Sequence, residues 1–212
     1  MNRILSLVVA AMLTGVASTR AVRAFDQQPR LKDVAREHGG RASMIANVDM
    51  PFFPLQDLAS KADLIVHARI ESATGQLTTD EQWVRTAFAF QPLLILKDTV
   101  HVNTAPVPGP TAPMVFTDSG GTVRTEGLTI STTVHPAIEP PLQVGDEVIA
   151  FLTWDPTEKV FRQPYGPAGL LFVRGDRVIA GSKDYARLRP LADDGVTAVI
   201  AEIQKMVKES RK

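Results

Sequence analysis

Leu64-Ile65-Val66-His67-Ala68-Arg69-Ile70-Glu71 is the stretch that decides the fold class. Leu64, Val66, Ala68 and Ile70 alternate with Ile65, His67, Arg69 and Glu71. Successive side chains of a strand point to opposite faces, so this pattern predicts a half-buried strand with one wet face. The next run repeats the logic, with Val84, Thr86, Phe88 and Phe90 on one side. Pro92 then predicts an edge or a bulge, because it lacks the amide hydrogen that a ladder needs, before Leu93–Leu96 resumes the run. Thr74-Gly75 and Thr78–Glu81 supply turn residues between the two runs, which therefore read as a long hairpin.

Further along, residues 104–113 carry four prolines and read as a loop. Strands are predicted at Met114–Thr117, Thr122–Arg124 and Leu128–Val134, with Asp118–Gly121 turning between the first two and Pro136, Pro140 and Pro141 closing the region. Val148–Trp154 is the most apolar run and predicts a central strand, bounded by Gly145-Asp146 and Asp155-Pro156. Lys159–Arg162, Leu170–Val173 and Arg177–Ala180 complete the series, the last two joined at Gly175-Asp176. Seven to nine short strands with turn signals between them predict a mainly β fold, a small barrel or a sandwich, rather than a parallel α/β sheet.

Helices flank this region. Leu55, Leu58, Ala59 and Ala62 share one helical face, so a short helix opens the domain, which is drawn over residues 51–190. Over residues 191–212, Val196, Val199, Ile200, Ile203 and Val207 recur at helical spacing, with Asp193 and Asp194 at the start and Lys205, Lys208, Arg211 and Lys212 toward the end. That charge order suits the helix dipole and predicts an amphipathic helix packed on the barrel.

Residues 1–24 run from Asn2 and Arg3 through the apolar Ile4–Leu13 to small residues, the order of a secretory signal, with cleavage after Ser18 or after Ala24. The apolar run is too short to span a bilayer as a helix. A buried N-terminal helix, or an uncut tether to the inner membrane, is the other reading. Residues 25–50 are polar and broken, with Leu31, Val34, Ala35 and His38 hinting at one helical turn or two, and read as a leader to the domain.

The 212 residues hold 23 basic and 23 acidic side chains and no cysteine. A balanced charge without a Lys/Arg block excludes an electrostatic nucleic-acid binder. Removal of residues 1–24 takes Arg3, Arg20 and Arg23 with it and leaves the remainder at −3. The missing cysteines exclude disulfides, thiol nucleophiles, cysteine-bound metals and a lipoprotein anchor. The expected address is therefore periplasmic or secreted, with no membrane span after cleavage.

Ala62–Ile70, Leu94–Asp98, Gly120-Gly121 with Gly127, Val144–Leu152 and Gly169–Val173 resemble a set of exported bacterial β-proteins without an assigned activity. More distantly, the layout resembles netrin-like and metalloproteinase-inhibitor modules. The resemblance covers residues 55–175 and implies an OB-type barrel with flanking helices. The inhibitors of that wider group place an N-terminal cysteine on a zinc ion, so their mechanism does not carry over to a chain without cysteine.

Two function classes stay open. Thr117-Asp118-Ser119-Gly120-Gly121 is one residue short of the nucleophile motif of chymotrypsin-like proteases, and His67 with Asp80 or Asp98 would supply the order His, Asp, Ser. That enzyme needs two barrels with the triad between them, and His67 and Ser119 are 52 residues apart, too few for the purpose. A hydrolase site could still assemble from Asp118, Ser119 and His135 in the loop-rich half. His38, His67, His101 and His135 are spread singly, His135 with Glu139 is a loop pair, and the doublets Asp80-Glu81, Asp146-Glu147 and Asp193-Asp194 lack calcium-loop spacing, so neither metal nor cofactor is expected. Trp83, Trp154, Phe161 and Tyr165 could line a barrel groove, with core packing as the alternative. The favoured reading is a non-enzymatic module that binds a protein, a peptide or an envelope component.

Overall fold

The computed structural model of the chain describes residues 7–9, 29–48, 53–101, 114–135, 138, 141–181 and 195–210. The Pro-rich loop 104–113, most of residues 1–24, and Glu139, Asp193, Asp194, Arg211 and Lys212 lie outside the described residues. Two compact units divide the chain. The larger comprises Met50–Ala73, Ala87–Asp118 and Pro136–Lys212, and the smaller Met1–Asp49, Thr74–Thr86 and Ser119–His135.

The sheet of the larger unit is built on β3 (Leu64–Leu77), β4 (Val84–Asp98), β5 (Met114–Ser119), β8 (Glu147–Asp155), β9 (Val160–Arg162), β10 (Leu170–Arg174) and β11 (Arg177–Ala180). Its order is β11-β10-β8-β3-β4-β5-β9, and β9 also pairs with β8, so β8, β3, β4, β5 and β9 close into a five-stranded ring. Closure gives each of the five ring strands a partner on both sides, while β10 and β11 extend the sheet from β8. The expected mainly β, barrel-like fold is thus observed. β8 is central as expected: one edge pairs antiparallel with β3, Leu64 opposite Leu152, while the other serves β10 through Glu147–Ala150 and β9 through Thr153–Asp155. The ring's last seam is parallel and short, Phe116 opposite Phe161 and Thr117 opposite Arg162.

Alternation along the strands sorts the side chains into two cores. Leu64, Val66, Ala68 and Ile70 of β3 gather with Phe88, Phe90, Met114, Phe116, Val148, Ala150, Leu152 and Phe161, so every strand of the ring supplies its interior. Ile65 on the other face of β3 is buried as well, with Ile149, Phe151 and Leu171, beneath helices α2 (Leu55–Lys61) and α3 (Val196–Glu209). Leu55, Leu58 and Ala59 of α2, and Val199, Ile203 and Val207 of α3, face that layer, as their spacing predicted.

One polar group is built into this layer. Lys97 of β4 is buried, and its Nζ donates to the Ala59 and Ser60 carbonyls, 3.0 and 2.8 Å away, in the last turn of α2. Those carbonyls have no partner within the helix, and a cation there also opposes the negative end of its dipole. Lys97→Met keeps the apolar stem and removes the donor. It should cost about 2 kcal/mol, read as a lower urea midpoint at unchanged slope.

In the smaller unit the sheet order is β1 (Leu7–Val9), β2 (Arg41–Asn47), β7 (Leu128–His135), β6 (Gly121–Thr125). β1 and β7 both run parallel to β2, and β6 returns antiparallel on β7 through Glu126-Gly127. Both turn residues have positive φ, 52° and 76°, the geometry that matches a two-residue hairpin turn to strand twist. Leu31 and Ala35 of helix α1 (Leu31–Glu37) pack with Ala42, Val84, Leu128 and Ile130 into a separate core.

The structure departs from the strand-level expectations in several places. Residues 25–50, expected as a leader, show the hinted helical turns as α1 but also hold the unexpected seven-residue strand β2. The domain drawn over residues 51–190 holds nine described strands, β3 to β11, within the expected seven to nine, and β1 and β2 precede it. Thr74-Gly75 is not a turn: β3 continues to Leu77, because Gly75 lets the chain pass against the backbone of Thr122. β4 likewise runs through Pro92 without ending. The turn expected over Asp118–Gly121 shrinks to Gly120 alone, with Ser119 still in β5 and Gly121 already in β6.

Candidate functional site

The residues proposed for hydrolysis occupy strand ends. Asp118 and Ser119 are the last two residues of β5, Asp118 half-buried in the larger unit and Ser119 exposed in the smaller. His135 is the exposed last residue of β7, opposite Asn47, and its carbonyl accepts from the Val48 amide. The acids considered for a triad have turn roles instead. Asp80 accepts from the Thr78 hydroxyl and the Gln82 amide, and the hydroxyl bond is the main reason its carboxyl is held below the ordinary range. Asp98 accepts from the Val100 and His101 amides just past β4.

His67 has a different partner. Its Nε2 lies 2.7 Å from Glu147 Oε1, and Arg69 Nη2 lies 3.5 Å from Glu147 Oε2. Arg69 and Glu147 are register partners on β3 and β8, with His67 one same-face step along β3, so the trio is a cross-strand charge cluster. The arrangement ties β3 to β8 through a side-chain hydrogen bond and an ion pair on one carboxylate. Nothing local in sequence marked it, because the carboxylate comes from a strand 80 positions away. His38 is exposed and donates its backbone amide to the Val34 carbonyl at the end of α1, and His101 is exposed as well. Among the described residues no three His, Asp or Glu side chains converge as metal ligands.

The aromatic groove does not form from the four residues considered. Trp154 and Phe161 meet edge-to-face at 5.0 Å in the ring interior, whereas Tyr165 packs with Phe53 at 5.3 Å in the layer beneath the helices. Trp83 belongs to the smaller unit, where its amide and carbonyl close the hairpin turn on Thr78. Core packing is the dominant use of these rings. The Trp154 amide donates to Asp63 Oδ2, 2.9 Å away, which joins the start of β3 to the end of β8.

Two surfaces differ from an ordinary solvated face. On β4, Leu93, Leu94 and Ile95 are 46%, 40% and 40% exposed, and Val115 on the adjoining β5 is 39% exposed. In the smaller unit, Glu126 accepts from Lys32 Nζ at 3.0 Å and Arg36 Nη2 at 2.9 Å, while Lys32 also reaches Glu81. The Lys32 hydrogen bond, helped by Arg36, holds the Glu126 carboxyl below its ordinary range. Lys32 is raised in turn by its bonds to Glu126 and Glu81.

Compared with known proteins, the chain matches no protein-family model and no curated protein.

Proposed function

We propose that the chain is an exported β-barrel module that binds a protein or peptide partner, or an envelope component, through the exposed apolar run Leu93–Ile95 on β4. The observation that carries this reading is the exposure of Leu93, Leu94 and Ile95 together. Consecutive strand residues point to opposite faces, so three exposed in a row leave this part of β4 covered on neither side. Single exposed apolar residues are common on any protein, whereas three consecutive ones on a single strand make a contiguous apolar surface of the kind that marks an interaction site. Export is supported by the signal-like order of residues 1–24, and the lack of cysteine argues against a lipid anchor. No helix among the described residues is long and apolar enough to cross a membrane.

Site-specific photo-crosslinking in the exporting cell tests the reading. A crosslinker at Leu94 should capture one defined species that a crosslinker at Ile179, exposed on β11, does not. Leu93→Lys with Ile95→Lys should reduce that capture roughly tenfold while shifting stability by no more than about 0.5 kcal/mol, as surface changes do. Equal capture from both positions, or capture indifferent to the two lysines, would sink the proposal. N-terminal sequencing of the exported chain decides between cleavage after Ser18, cleavage after Ala24 and a retained tether.

A further inference from the structure

We infer that the outer edge of β2 is a strand-acceptor site, which takes an extended apolar segment of a partner polypeptide running parallel to β2. The inference rests on the export reading for one step, the removal of the residues now lying on that edge. Leu7, Val8 and Val9 pair in parallel with Met44, Ile45 and Ala46, while the opposite edge of β2 is taken by β7 over all seven residues from Arg41 to Asn47. The three seated residues fall within the apolar run Ile4–Leu13 at the heart of the signal-like segment. Cleavage at either Ser18 or Ala24 detaches them and leaves β2 as an edge strand whose outward amides and carbonyls lack strand partners.

Natural edges are blunted by charge, proline or a bulge. Past the charged Arg41 at its start, β2 carries none of these over Ala42-Ser43-Met44-Ile45-Ala46-Asn47, and Ile45 and, just beyond the strand, Val48 are 38% and 40% exposed. An incoming strand would find main-chain hydrogen bonds along the edge and apolar contacts on alternating sides. Met44 lies on the side of the smaller unit's core and Ile45 on the other. The occupant is therefore uncharged, extended and apolar over at least three positions. A second processed copy suits the edge poorly. It has lost the same three residues, and pairing one β2 with another across a two-fold axis would be antiparallel, whereas the pairing seen here is parallel.

The cysteine-free chain permits a direct test, because each introduced cysteine reports one position. The exported chain carrying Ile45→Cys is mixed with a synthetic peptide of residues 4–13, flanked by lysines for solubility and with cysteine in place of Val8. A disulfide should form at least about tenfold faster than with the Asn47→Cys chain, two positions out of register, and a peptide with proline in place of Leu7 and Val9 should give none. As a second readout without cysteine, the unmodified peptide should slow hydrogen exchange at the Met44–Ala46 amides. A processed chain that shows neither register preference nor protection overturns the acceptor site, and so does a disulfide between two Ile45→Cys chains that the peptide fails to suppress. In the full-length chain, Val8→Cys with Ile45→Cys should close an internal disulfide whether or not export occurs. A chain that retains Met1 after export fails differently: it overturns the leader reading and the opening of the edge, while that internal disulfide still reports the pairing.

Discussion

Phe116→Ala should lower the free energy of unfolding by about 3–5 kcal/mol, the range for removing a buried aromatic side chain together with the cavity it leaves. Phe116 is fully buried in the ring interior, stacked on Phe88 with centroids 5.2 Å apart and tilted against Phe90 at 5.8 Å. It also stands opposite Phe161 in the parallel seam that closes the ring, a seam only two register pairs long. Flanking strands cannot collapse far into the void, because each is hydrogen-bonded on both sides around the ring. The cavity term should therefore persist. Phe116→Leu retains most of the apolar volume and loses the ring pairing, worth about 0.5–1.5 kcal/mol, so it should fall well short of the alanine loss. Urea unfolding of both variants measures the difference. A cost below about 1 kcal/mol for alanine would mean that the seam does not seal a packed interior.

How much of this was legible in the sequence depends on how local the physical signal is. Leu64–Ile70 announced its strand because one face of β3 meets the ring interior and Arg69 and Glu71 on the other meet solvent. Val148–Leu152 read as central because both faces are buried, between the ring interior and the helix-covered layer. β2 gave a weak signal for the opposite reason. Only Ala42 and Met44 face the small core, Ile45 points away from it, and the strand's parallel partner β7 is joined to it by no hairpin. The same locality limits the reading of sites. Thr117–Gly121 looked like a nucleophile motif, yet its residues end β5 and begin β6. The His67–Glu147 pair and the Lys97 cap on α2 depend on strand register and helix docking, which leave no spacing pattern to find. Exposure of Leu93–Ile95 was equally hidden, since an apolar run in sequence predicts burial.

Gly75→Ala decides whether a glycine read as a turn signal in fact marks a close approach of two backbones. In an open strand the change should stabilise by up to about 1 kcal/mol, because alanine loses less backbone entropy on folding. Here an added Cβ would stand 2.0 Å from the Thr122 carbonyl oxygen and 2.7 Å from its carbonyl carbon. Both are backbone atoms of β6, which is held to β7 by the register Thr122 opposite Ser131 and Val123 opposite Ile130, so no flexible side chain can swing aside. Relief requires β6 to move with β7, and that displaces Val123, Leu128 and Ile130 from the core they form with α1 and β2. The expected result is a loss of about 3 kcal/mol, at or beyond the upper end for overpacking. Hydrogen exchange should quicken at the Val123 and Ile130 amides in particular. The sign of the change carries the decision: a neutral or stabilised Gly75→Ala chain would return residues 74–75 to the turn that their composition suggested, and β3 would end before them.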